Sequence, residues 1–151
     1  MTVKRIDTGF RPGHATWAWT MRSRSTRATS TSMLSRLVHA ADVVLLPYDS
    51  RDQVTSGVLV EAVTAGKPVV STSFPHAVEL LSSGAGLLVE RQNPDAIAAA
   101  LRRVLTEPGL AHSLSAEANR LSPQLLWGAV GQQYRDLASS ALRDELGRAS
   151  A

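Results

Sequence analysis

The sequence predicts an α/β fold: a partial parallel sheet of about three strands, flanked by helices. The first observation is alternation. Short apolar runs of strand length are separated by segments whose apolar residues recur at helical spacing, the pattern of βαβ units. The second is the character of those runs. ADVVLLPY, PVVSTS and AGLLVE are apolar through their middles, as strands covered on both faces must be. The third is the strand count, since three strands make about half of an ordinary doubly wound sheet.

Each element has its own local signal. LSRLVHA reads as the end of a helix with Leu34, Leu37 and Val38 on one face. The first strand run is stopped by Pro47, and GVLVEAVTAG then reads as a helix with Ser56 as N-cap and Gly66 at its C-terminal stop. Gly66, Lys67 and Pro68 form a helix stop and strand start ahead of PVVSTS, with Lys67 in solvent. HAVELLSSG is a short helix ending at Gly84, and AGLLVE is the third strand. PDAIAAALRRVLTE opens with Pro94 and Asp95 and carries a stripe of Ile97, Leu101, Val104 and Leu105. Leu110, Leu114 and Leu121 mark another helix, and a last long one is expected from about Gln124 to Glu145, with Trp127 and Tyr134 packing helix against helix.

Charge and composition divide the chain unevenly. The 151 residues carry a net charge of +3, but residues 1–33 hold six basic side chains against Asp7 alone, a net +5, which leaves −2 for residues 34–151. Residues 1–33 show no usable period, and MRSRSTRATSTS offers no apolar face, so this basic segment is expected to be disordered. A basic arm for nucleic acid or an acidic membrane surface, or a transit peptide, are the functional alternatives. The absence of cysteine excludes disulfide scaffolds and thiolate zinc sites. No apolar run is long enough to span a membrane and no apolar leader is visible, so a cytoplasmic location is the default expectation.

The chemically informative stretch is SRDQVTSGVLVEAVTAGKPVV, residues 50–70. A polar loop leaves a buried strand and enters a helix through Thr55, Ser56 and Gly57. Ligands of open α/β sheets bind beyond the carboxyl ends of the strands. A helix N-terminus offers N–H groups and partial positive charge to an anion. The backbone around Ser56, Gly57 and Val58 is therefore suited to a diphosphate. Glu61, about one turn further in, can accept hydrogen bonds from paired sugar hydroxyls. Asp49 and Asp52 are too weak a pair for a metal site, and none is expected. His76 follows the second strand; a surface-loop histidine is expected there, with a place in the ligand cleft as the alternative.

ADVVLLPYDSRDQVTSGVLVEAVTAGKPVVST, followed by ELLSSGAGLLVERQNPDAIAAAL, resembles the carboxyl-terminal, donor-binding domain of GT-B glycosyltransferases of the retaining, group 1 type. The resemblance implies half of a GT-B architecture, a partial Rossmann-like domain over residues 34–146, and a nucleotide-sugar donor. In that family two acidic residues stand seven positions apart. The second, on the donor ribose, falls on Glu61; the first, facing the transferred sugar, falls on Gln53, where the charge is lost. The resemblance implies no metal and no cofactor. Acceptor binding is expected from an amino-terminal domain or partner chain not evident in this sequence, as are the Arg and Lys that neutralise the donor diphosphate. Arg22 to Met33 are compatible with GC-rich coding DNA read in a shifted frame, whose alternative reading VALDARYLDVD leads into LSRLVHAADVVLLPY. The function implied is sugar transfer from a nucleotide donor, with this chain as the donor-binding portion. The alternatives are a non-catalytic nucleotide-sugar-binding module, an inert fragment, and, least favoured, a nucleic-acid protein using the basic arm.

Overall fold

The structure, a computed structural model, describes residues 31–50 and 54–149. Residues 1–30, 51–53, including Gln53, and 150–151 lie outside the described residues. Helix α1 (Thr31–His39) begins just ahead of the expected boundary at residue 34 and turns Val38 into the core. Strands β1 (Val44–Leu46), β2 (Val69–Thr72) and β3 (Gly86–Val89) form one parallel sheet in the order β1-β2-β3. Val44 pairs with Val69, and Val69 with Gly86. The predicted α/β class and the three parallel strands are therefore present.

The apolar runs are explained by the two faces of this sheet. Successive strand residues point to opposite sides. Val44, Leu46 and Val69 pack with Val38, Leu59, Val63, Phe74 and Leu81 on one side. Val43 and Val70 pack with Ala100, Val104 and Leu114 on the other, where Leu87 and Val89 join them. The central strand β2 is buried along its whole length. The connecting helices α2 (Gly57–Thr64) and α3 (Pro75–Leu81) cover the first face, and α4 (Pro94–Thr106) the second. Asn93 caps α4 by accepting from Ala96 N–H at 2.9 Å, with Pro94 in the first turn.

Helix α5 (Leu110–Leu125) docks along α2. Ser122 Oγ donates to the Thr64 carbonyl at 3.2 Å, which satisfies one of the carbonyls α2 leaves at its C-terminal end. Glu117 on α5 accepts two hydrogen bonds from Arg120, at 2.6 and 2.8 Å, and interacts with Ser83 beyond α3.

The carboxyl-terminal part differs from expectation in two ways. The last helix, expected to start near Gln124, is present but starts three residues later. Pro123 and Gln124 belong to α5, Leu126 is extended at ψ 143°, and α6 (Trp127–Ala149) starts afresh with Val130 N–H on the Leu126 carbonyl. Leu126 thus ends one helix and opens the next. Nor do Trp127 and Tyr134 pack helix against helix: they are 89% and 71% exposed, with Leu137 and Leu142 also in solvent. Their spacing gives α6 an apolar stripe, which lies in solvent among the described residues.

Candidate functional site

The carboxyl ends of the strands and the start of α2 form one polar network. The chain leaves β1 at Pro47 and Tyr48 and enters α2 at Gly57. Ser56 is extended (φ −142°, ψ 112°), and its hydroxyl accepts from Leu59 N–H at 3.2 Å. Serine is well suited to this N-cap position because its short side chain reaches the orphan donors of the first turn. The Ser56 carbonyl accepts from Val60 N–H at 3.3 Å. Tyr48 Oη lies 3.2 Å from the same Ser56 hydroxyl.

The second crossover holds this corner from the other side. Thr72 Oγ1 donates to the Tyr48 carbonyl at 2.7 Å, so the end of β2 clamps the residues just after β1. Phe74, only 1% exposed, meets the Tyr48 ring edge-on at 5.3 Å between centroids. His76, in the first turn of α3, accepts the Ser56 N–H on Nδ1 at 3.1 Å. His76 is thus a half-buried helix residue joined to the site, not the expected surface-loop histidine. The loop reading failed because Pro75 starts α3 immediately after Phe74 and rotates the imidazole toward α2.

The described ones among the predicted site residues, Thr55, Ser56, Gly57, Val58 and Glu61, lie at the start of α2 and its first turns. Ser56 is 5% exposed, with N–H, carbonyl and hydroxyl all engaged, so it acts as a structural cap. Thr55 and Gly57 are exposed, Val58 half-buried against the core, and Glu61 half-buried one turn along α2. In the first turn, Leu59 and Val60 N–H have protein acceptors, while Gly57 and Val58 N–H have no intrahelical acceptor by helix geometry. No acidic side chain occupies that first turn, so the partial positive charge there is not offset by the helix's own residues.

Two shallow hollows lie beside this corner, beyond the strand ends. One, of about 400 Å³, is lined by Asp49, Ser73, Glu90, Arg91 and Gln92. The other, of about 270 Å³, includes Tyr48, Thr72 and Ile97 and shares Asp49 and Gln92 with the first. Neither is lined by Ser56, Gly57, Val58 or Glu61. Gln92 donates to Asp49 at 3.2 Å from a left-handed backbone (φ 56°), uncommon for a residue with a side chain. Among the described residues no group of three or more His, Asp or Glu could hold a metal ion, and no helix is long and apolar enough to cross a membrane.

Comparison with known proteins places this geometry in a family. Residues 17–107, more than half of the chain, match the family described as Glycosyl transferases group 1. The chain belongs to the group 1 glycosyl transferases. A solved relative of this group 1 member is a sucrose-phosphate synthase from Thermosynechococcus elongatus, 27% identical, with a TM-score of 0.57 over 72% of this chain. The chain covers 28% of that enzyme's length. No curated protein matched. The group 1 match spans both crossovers, from before β1 to the end of α4, and so includes the whole Tyr48–Ser56–His76 corner.

Sequence reasoning placed the α2 half of this corner, held His76 in the cleft only as an alternative, and missed Tyr48 and Thr72. Ser56 is signalled by the apolar run that follows it. Tyr48, Thr72 and His76 have no local motif; they meet Ser56 only because parallel pairing of β1 with β2 stacks the strand ends.

Proposed function

We propose that this chain carries the donor-binding portion of a GT-B type glycosyltransferase and holds the nucleotide of a nucleotide-sugar at the start of α2. One observation carries the reading. In a group 1 glycosyl transferase chain, a Ser56-capped helix starts at the carboxyl end of β1 with Gly57 at its first position. Gly57 and Val58 N–H groups face the diphosphate, where helix partial charge favours an anion. Thr55 lines the approach. Glu61 accepts hydrogen bonds from the ribose hydroxyls, and Gln53 lies near the transferred sugar. Stabilisation of the departing diphosphate is the main catalytic contribution of such a site. Residues 34–146 form the donor-binding unit, with transfer completed by an acceptor-binding domain or partner chain.

Calorimetric titration with uridine, guanosine and adenosine diphosphates tests the reading. At least one should bind saturably, and Glu61→Ala should weaken it by on the order of tenfold or more through loss of charge-assisted hydrogen bonds. The 2′-deoxy diphosphate should bind less tightly to the unaltered chain and equally to Glu61→Ala. Absence of saturable binding by all three nucleotides at millimolar concentration would sink the proposal.

A further inference from the structure

We infer that α6 is a dimerisation helix: two copies of this chain pair antiparallel along the stripe of Trp127, Tyr134, Leu137 and Leu142, with the two-fold axis between Leu137 and Ala138. This pairing does not depend on the proposed donor site.

Helix α6 leaves the body of the protein almost at once. Ala129, Val130 and Gly131 are half-buried, but from Gln132 to Arg143 every residue is exposed. A helix of roughly 12–15 residues is marginal in water when nothing packs on it. Yet this stretch is apolar along one side. Trp127, Tyr134 and Ala141 recur every seven residues, with Leu137 and Ala138 between them, the spacing at which paired helices meet. Trp127, Tyr134, Leu137 and Leu142 are all more than half exposed.

Area and charge both select a second copy as the cover. An aromatic side chain offers roughly 150–250 Å², so the stripe presents on the order of 600 Å² per copy. Two such stripes reach the low end of the roughly 1,200–2,000 Å² that a stable interface buries. Residues 127–134 carry no charge, whereas residues 135–149 carry three arginines and three acidic side chains. A parallel pair would set each of these charges beside its own copy. An antiparallel pair lays the charged half of one helix along the uncharged half of the other, so no like charges meet. Trp127 and Arg148 stand equally far on either side of the axis. Each indole therefore meets the guanidinium of the other copy, a cation–π pair at both ends. Tyr134 meets Ala141 of the other copy in the same way, where the small side chain leaves room for the ring.

Sedimentation equilibrium of the full chain tests this. The mass should rise from monomer toward dimer, with a dissociation constant on the order of 10–100 micromolar, as suits an interface at the small end. Below that range the stripe is bare, so melts of dilute protein do not register its side chains. Trp127→Ser combined with Tyr134→Ser should weaken the dimer by about tenfold or more with helix content unchanged, since buried aromatics anchor interfaces. The chain has no cysteine, so single introduced thiols report the geometry. Ala138→Cys, beside the axis, should form a disulfide between copies on mild oxidation. Gly131→Cys should not, because its counterpart lies roughly 20 Å away along the pair at 1.5 Å per residue. A monomer at every concentration up to the millimolar range overturns the inference, whether the stripe stays bare or is covered within one chain. So does association that the double serine variant leaves unchanged, association that continues past the dimer, or a Gly131→Cys disulfide as ready as that of Ala138→Cys, which would mean a parallel pair.

Discussion

Gly86 lies against Val69 so closely that a Cβ on Gly86 would stand 2.6 Å from the Val69 carbonyl oxygen. The two are register partners of β3 and β2, and Leu81 closes the same space at 3.0 Å. Neither a backbone carbonyl in a ladder nor a buried leucine can give way at low cost. Gly86→Ala should destabilise the fold by about 2–3 kcal/mol, the upper part of the range for overpacking. Urea unfolding followed by circular dichroism measures this.

Gly66 is constrained for a different reason. Its φ is +65°, and the atoms a Cβ would meet belong to the exposed side chain of Asn119, which can move. Gly66→Ala should cost about 1–2 kcal/mol, mostly from the left-handed backbone. Adding Asn119→Ala should recover little of that loss. A large recovery in the double-mutant cycle would show instead that crowding dominates.

Ser56→Ala removes the cap on Leu59 N–H and the hydroxyl beside Tyr48. Loss of an N-cap costs about 1 kcal/mol. Asn93→Ala, which uncaps α4 without touching the α2 cap, should cost about as much by the same principle. The two differ in ligand binding: only the Ser56 change should weaken nucleoside diphosphate affinity. Melting curves and calorimetry on both variants separate cap from site.

Glu117 gives the fold an acid-sensitive contact. Hydrogen bonds from Arg120 and then Ser83 hold its carboxyl down to about 2, against an ordinary value of 4.5. The folded value lies below the unfolded one, so the contact stabilises the protein above the unfolded value. That stability is lost as pH falls from about 4.5 to about 2. Glu117→Gln should flatten the melting-temperature profile in that window and leave neutral pH nearly unaffected. The pair is solvent-facing, so added salt should shrink the difference. An identical acid slope in the variant would refute the assignment.

Trp127→Ser and Tyr134→Ser should change stability by no more than about 0.5 kcal/mol, because neither side chain is packed. A loss of several kcal/mol in thermal melts would show that α6 has a cover in solution.

These outcomes depend on what local sequence can and cannot encode. The strands were legible because β2 must be apolar toward both α2 and α4. The start of α2 was legible because Ser56 and Gly57 stand directly before the run they cap. Gly66 and Gly84 announced the ends of their helices, and both have positive φ. His76 was legible only as the alternative reading, a place in the ligand cleft after the second strand. Its role is set by how the β2–α3 turn lands against α2, a property of three-dimensional pairing. Trp127 and Tyr134 misled because apolar spacing identifies a stripe without saying whether anything covers it. The break between the last two helices was placed near Gln124 and lies at Leu126, because the residues around it suit a helix on either side.

The Ser56–His76 bond spans 20 residues of chain. A contact of that separation cannot form until β2 and α3 have docked, whereas the α2 turn that Ser56 caps needs only its own neighbours. The closed corner thus reports the docking of β2 and α3, which helix formation in α2 alone does not require. Helix content measured by far-ultraviolet absorption would then overstate how much of a preparation is competent. Exchange of the Ser56 amide proton, slow only while His76 holds it, is the direct count of molecules whose corner is closed.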